Sequence, residues 1–268
     1  MPAYTDIELE IDDPVAVLRL NRPEKLNAFT YHTLGEIRRA IDACVVDTRV
    51  VGIVITGNGR GFSSGLDSQV LAAVTGQGKS STAHADPEQL PGIFSYLLQV
   101  PKPVIAAVNG VAAGGGLILA LMSDLRIAST AASFTTVFLK RGLIAEHGSS
   151  WLLPRLVGTG HAMDLLWMSD RIDAATAHAM GLVEKLAEPE ALLDVAKDYV
   201  RRLAATSSPL AIAETKRLLY RHLGVGYAEA LREANVAQDR FVAADDAVEG
   251  AAALIEKRAP KFKRLGQE

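Results

Sequence analysis

The sequence predicts an α/β fold. Three observations carry this reading. Apolar runs of strand length, at 15–20, 50–56 and 104–108, recur through the first half. Segments with apolar residues at helical spacing lie between them. After Gly158 the pattern is helical only.

The elements follow in order. Ile7, Leu9 and Ile11 alternate with charges, as a half-buried strand should. Asp12-Asp13-Pro14 is a turn to a second strand at 15–20, so the two form a hairpin. Thr30 caps a helix running to about Asp47, with Leu34, Ile37, Ile41 and Val45 on one face. A strand at 50–56 ends at Gly57-Asn58-Gly59, and a glycine-containing loop, GRGFSSGLD, spans 60–67. Residues 72–90 are small and polar and read as a flexible segment. A helix is expected over 90–100, stopped by Pro101-Lys102-Pro103. A short strand follows at 125–128, and an apolar helix at 151–157. Helices are then expected at roughly 160–168, 174–180, 190–205, 208–221, 226–240 and 244–257. The apolar stripes of these tail helices imply packing, within the subunit or against another copy.

The stretch 103–126, PVIAAVNGVAAGGGLILALMSDLR, organises the chain. A buried strand leads through the turn Asn109-Gly110 to three glycines, Gly114 to Gly116, and then to an apolar helix. At a helix start the backbone N–H groups lack helical partners, and the dipole favours negative charge. Residues without side chains let a ligand reach those groups. The stretch is therefore suited to an anion, or to an oxygen that becomes one during a reaction. The spacing is not G-x-G-x-x-G, so a dinucleotide fold is not indicated. Gly78-Lys79-Ser80 lacks the preceding glycine and strand of a phosphate loop and reads as polar surface.

Bulk properties exclude several classes. The 268 residues are 49% hydrophobic and 22% charged, enough for a sizeable core. A net charge of −3 without a long basic run argues against nucleic acid. One cysteine, Cys44, rules out an internal disulfide and a multi-cysteine metal site, and it fits a reducing compartment. No metal site and no membrane span are expected, and the N-terminal residues lack the apolar core of a signal. A soluble cytoplasmic protein is expected.

LNRPEKLNAF, GRGFSSGLD and VIAAVNGVAAGGG, in that order and spacing, resemble the crotonase superfamily of enoyl-CoA hydratases and isomerases. The resemblance runs from about Ile7 to Lys257. It implies a crotonase-like spiral of ββα units with a helical C-terminal region. Residues 1–200 would form the spiral core, and 201–268 a helical region for oligomerisation and active-site capping. It also implies a homotrimer or homohexamer acting on an acyl thioester of coenzyme A, with no cofactor beyond the coenzyme A of the substrate.

In that family two backbone N–H groups hold the thioester oxygen as it becomes enolate-like. The matching donors here are Leu66 and Gly115. Coenzyme A contacts carry over to Lys25, Leu26 and Ala28, to Ser63, Ser64 and Gly65, and to Leu254 and Lys257, the last two reaching a neighbouring subunit. Hydratases of the family place two glutamates that position water. Those positions hold Ile118 and Phe138, which instead would line an acyl pocket. One acidic residue remains at a family acid–base position, Glu146 in RGLIAEHGSSWLLPRLVG, flanked by apolar residues that would desolvate it. Its alternative role is to stabilise a helix N-terminus from the first turn. His147 beside it is a second catalytic candidate, although adjacent side chains usually point apart. Asp67 reads as a local cap, and Asp124, Arg126 and Trp151 as structural.

Three functions follow from the resemblance. The first is double-bond isomerisation of an enoyl-CoA with Glu146 as the single acid–base group. The second is hydration or thioester hydrolysis with Glu146 or His147 activating water. The third is a non-catalytic acyl-CoA binding protein.

Overall fold

The computed structural model describes residues 4–75 and 90–267. The hairpin is present as β1 (Ile7–Asp12) and β2 (Val15–Leu20), antiparallel with Ile7 opposite Leu20. Helix α1 (Tyr31–Val46) starts at Thr30, whose hydroxyl accepts from the Thr33 N–H while Thr33 reaches back to the Thr30 N–H. This reciprocal cap fixes where the helix begins. Cys44 is wholly buried on it, and burial pushes its thiol up to about 12.

Three ββα turns then follow. The first is β3 (Gly52–Gly57), β4 (Gly61–Ser63) and α2 (Ser68–Val74). The second is β5 (Val104–Val108), β6 (Val111–Ala113) and α3 (Gly115–Met122). The third is β7 (Leu125–Ser129), β8 (Ser133–Thr135) and α4 (Ser149–Met168). In each turn the first strand joins one sheet and the second strand joins another. β9 (Ile172–Asp173), α5 (Ala174–Ala179) and β10 (Lys185–Ala187) close the two sheets. The larger sheet has the order β1-β2-β3-β5-β7-β10 and is parallel from β2 onward. The smaller has the order β4-β6-β8-β9. This is the expected spiral.

The parallel strands are apolar without interruption because both faces of their sheet are covered. Ala16, Leu18, Ile53, Ile55, Val104 and Ala106 face the main core with α1 and α3. Val15, Val17, Val54, Ile105 and Ile127 face α6 (Leu192–Thr206), which buries Leu192, Ala196 and Val200 against them. The expected division at residue 200 thus falls inside a helix that seals the sheet. Helices α7 (Pro209–His222), α8 (Tyr227–Val242) and α9 (Asp245–Glu256) complete the described chain.

Three local expectations are corrected, and the break at Gly158 between two helices is borne out. The segment 90–100 is not an α-helix: Pro91 and Gly92, the latter at φ +108°, turn the chain, and only a 3₁₀ turn forms at Ser95–Gln99. Residues 72–74 belong to α2 rather than to a loop, while 76–89, including Gly78-Lys79-Ser80, lie outside the described residues. The region after Gly158 holds two short strands, β9 and β10, as well as helices. Gly158 itself breaks the helix at φ 77°, ψ 160°, so α4 is two helical segments joined at a kink.

Candidate active site

The loop 60–67 and the start of α3 lie backbone to backbone. Asn27 holds the first of them: its Nδ2 donates to Gly61 O at 2.8 Å and to Asn58 O at 3.0 Å, and its Oδ1 accepts from Arg22 N at 2.9 Å. Ser63 Oγ donates to Asn27 O and accepts from Gly65 N, at 2.8 and 3.1 Å. Gly65, at φ +88°, allows the close approach: a Cβ there would sit 2.7 Å from Ala113 O and 2.8 Å from Gly115 N.

Two main-chain donors result. Phe29 N donates to Gly65 O and Asp67 N to Phe29 O, at 2.8 and 2.9 Å. These bonds pin the chain on both sides of Leu66, whose own N–H has no partner among the described residues. Gly115 opens α3, and the first intrahelical bond is Ile118 N to Gly114 O, so the Gly115 N–H is also free. A Cβ on Gly115 would lie 3.6 Å from Leu66 N. Two free donors this close, one at a helix start, can hold a single oxygen and stabilise negative charge on it.

A cleft of about 70 Å³ opens at this pair, lined by Phe29, Tyr31, Leu34, Ser64, Leu66, Leu71, Ile93, Gly114, Gly115, Phe138, Arg141, Leu143, Glu146 and His147. The structure thus brings Leu66, Gly115, Glu146, His147 and Phe138 together. Glu146 is half-buried there, so the expected desolvation is partial. It does not stabilise the helix from the first turn: α4 begins at Ser149, and Glu146 lies beyond the N-cap Gly148. Its backbone carbonyl accepts from Ser149 N and Oγ, at 3.0 and 2.8 Å, and so anchors the helix start, while its carboxylate makes no hydrogen bond among the described residues.

His147 also faces the cleft, contrary to the expectation for adjacent side chains. It adopts φ +52°, in the left-handed region, and this turns it beside Glu146. Burial holds its imidazole below the usual histidine range, partly offset by Glu146, so it is neutral near pH 7.

Other predicted residues are placed as follows. Ile118 is 0% exposed in the main core and does not line the cleft, because its side of α3 packs inward. Phe138, 5% exposed, does line it. Ser63 and Gly65 are buried and shape the loop rather than meeting solvent, whereas Ser64 lines the cleft. Ala28 is buried, with its carbonyl taken by Arg22 Nη1 at 2.6 Å. Lys25 is exposed, and Leu26 turns at φ +50°. Leu254 is exposed on α9, and Lys257 ends that helix. Asp67 caps α2 through Gln69 N and pairs with Arg22 at 3.3 Å, as expected of a local cap. Arg126 is buried among the carbonyls of Leu182 and Ser123 and the carboxylate of Glu184. Arg141 also lines the cleft, and no sequence motif pointed to it.

A second and larger cavity, about 1080 Å³, is not the one holding the paired N–H groups. It lies under α7 and α8, with Leu98, Met122, Trp151, Leu210, Tyr220 and Phe241 in its wall. It borders the cleft at Gly148, next to His147. Among the described residues no helix is long and apolar enough to cross a membrane.

The family model described as "Enoyl-CoA hydratase/isomerase" matches residues 10–265. The chain belongs to this family. Its membership makes it an enzyme of the enoyl-CoA hydratase/isomerase kind and agrees with the paired donors. It is similar to the crotonyl-CoA hydratase of Syntrophomonas wolfei, 35% identical over 267 residues, covering 97% of this chain and 98% of that one. It is also similar to the 1,2-epoxyphenylacetyl-CoA isomerase of Escherichia coli, 36% identical over 195 residues, 72% of this chain and 74% of that one. Among solved structures, the enoyl-CoA hydratase from Mycobacterium tuberculosis H37Rv superposes with a TM-score of 0.86 at 31% identity, over 96% of this chain and 98% of that one.

Proposed function

We propose that this member of the enoyl-CoA hydratase/isomerase family moves a double bond in an unsaturated acyl-CoA. The observation that carries the reading is the content of the cleft among the described residues: two free N–H groups, of Leu66 and Gly115, and a single carboxylate, that of Glu146. The thioester oxygen would sit between the two donors. Charge building on that oxygen is stabilised, which acidifies the adjacent or vinylogous C–H. Glu146 removes the proton and returns it at another carbon. No water is added, so one carboxylate suffices. Ile118 and Phe138 fill the positions where family hydratases carry glutamates, and an apolar side chain cannot orient or deprotonate water.

A second reading, hydration or thioester hydrolysis, is favoured by His147, whose neutral imidazole shares the cleft. We further propose that Lys25, Leu26, Ala28 and Ser64 run along the coenzyme A, and that Leu254 and Lys257 meet it across a subunit boundary in a trimer or hexamer. The exposed apolar residues of α8 and α9, Tyr227, Val242, Val248, Leu254 and Ile255, support such an assembly. A reducing, cytoplasmic setting suits an enzyme whose one cysteine is buried and unpaired.

The test gives the protein a 3-enoyl-CoA and a 2-enoyl-CoA in isotopically labelled water. Interconversion with solvent hydrogen exchange and no added oxygen is expected. Glu146→Gln should lower that turnover about 100-fold or more while leaving acyl-CoA binding intact. Oxygen from water in the product would replace the isomerase reading with the hydratase one.

A further inference from the structure

Among the described residues the cleft carries one positive side chain that the proposed reaction does not use. Arg141 ends the 3₁₀ turn Leu139–Arg141 and lines the cleft beside Phe138, Leu143 and Glu146. Its guanidinium has no hydrogen bond or ion pair among the described residues. Its neighbour Lys140 behaves differently: that ammonium binds Asp170 at 2.8 Å and Ser169 O at 3.2 Å. Glu146 shares the cleft with Arg141, yet the two form no ion pair. Both charges are therefore left for a ligand.

An unpaired guanidinium on open surface is solvated and asks for nothing. Arg141 is exposed, but it lies at the edge of a narrow cleft that Phe29, Leu71 and Ile93 also line, so a ligand entering there covers it and it then needs an acceptor. Its planar fork matches a carboxylate with two parallel hydrogen bonds. Position decides which part of the ligand supplies that group. Arg141 stands five residues before Glu146 on the same connection between β8 and α4, and Glu146 must face the acyl carbons. Of the residues assigned to coenzyme A only Ser64, on the loop 60–67, lines the cleft, and Lys25, Leu26 and Ala28 do not.

We propose that Arg141 receives a carboxylate at the far end of the acyl group, so that the enzyme selects CoA thioesters of dicarboxylic acids. This rests on the acyl-thioester reading above. It makes Arg141 a specificity residue and leaves the proton transfer to Glu146.

Binding of unreactive ligands tests it without requiring turnover. Succinyl-, glutaryl-, adipyl- and suberyl-CoA are titrated calorimetrically beside the monocarboxylic thioesters of equal length, with wild type, Arg141→Leu and Arg141→Lys. At the best-fitting length, Arg141→Leu should cut the preference for the dicarboxylic member about 10- to 100-fold, and Arg141→Lys should restore part of it. An unchanged preference overturns the proposal. Equal weakening of both thioester series, with no effect on the matching N-acetylcysteamine thioesters that lack phosphates, also overturns it and assigns Arg141 to the coenzyme A phosphates. Wild type that binds no acyl-CoA removes the acyl-thioester reading itself, a result distinct from either.

Discussion

The ammonium of Lys216 on α7 meets Asp124 Oδ2 at 2.7 Å, joining residues 92 apart in sequence. Lys216 also donates to Leu97 O and Lys102 O, while Asp124 accepts from Val104 N and the Tyr220 hydroxyl. The side chain of Lys216 is only 8% exposed. This one cluster ties the tail helices to the ends of β5 and β7. Lys216→Met should cost about 3 kcal/mol, because it leaves a partly buried carboxylate and two carbonyls without their cation. Urea unfolding measures it, and a loss near zero would mean that α7 is held by its apolar contacts alone.

Gly65→Ala should disable the site without touching a functional side chain. The new Cβ would press on Ala113 O and Gly115 N, at φ +88°. Displacing one main-chain donor costs about 100-fold or more in turnover. The left-handed backbone adds about 1–2 kcal/mol of destabilisation. Steady-state rates on the substrate identified above, with thermal melts alongside, separate the two effects.

His147 offers a comparison of two variants. Both Ala and Gly remove the imidazole, but only Gly relieves φ +52°. His147→Gly should be about 1 kcal/mol more stable than His147→Ala. Equal stability would show that the backbone relaxes. In wild type, burial lowers the folded pKa of His147 beneath its unfolded value, so the unfolded chain binds the extra proton. The stability from keeping this ring neutral is present above about pH 6.5 and declines as pH falls below it. His147→Ala should remove that part of the decline.

Glu249 sets a second pH-dependent tie. Arg258 grips its carboxylate with both Nη atoms, at 2.6 and 2.9 Å, and Lys261 N donates to it at 2.6 Å. The guanidinium and that N–H hold Glu249 down at about 2, against 4.5 for a free glutamate. The folded value is depressed, so the tie is complete above about pH 4.5 and is lost as pH falls toward 2. The amide resonance of Lys261 should titrate near the lower value. Arg258→Ala should move its midpoint upward, and added salt should do the same because the pair is exposed.

The long elements could be read from residue patterns because each carries its own signal. Thr30 with Thr33, the apolar run 104–108 and the stripes of α6 to α9 state type and boundary locally. The strands β4, β6, β8, β9 and β10 have two or three residues each, too few to display alternation, and they exist only because the neighbouring turn of the spiral pairs with them. The start of α2 was readable in principle, since Asp67 is a good cap, but the polar run after it masked the helix. At the site, Gly114–Gly116 announced a helix start with a free N–H. The N–H of Leu66 came only from resemblance, because no side-chain pattern marks a free amide. The paired aim of Glu146 and His147 depends on one left-handed residue, which sequence does not display.

In the proposed reaction the polarising half of the site is main chain, and that has a consequence for how such an enzyme changes over time. Leu66 can drift to other residues without losing its donor, since every amino acid except proline brings the same N–H. The group proposed to handle the proton is an ordinary side chain on a separate connection. One half is insulated from point substitution and the other is replaceable in a single step, so new reactions on the same thioester can arise by exchanging carboxylates around an unchanged oxygen clamp.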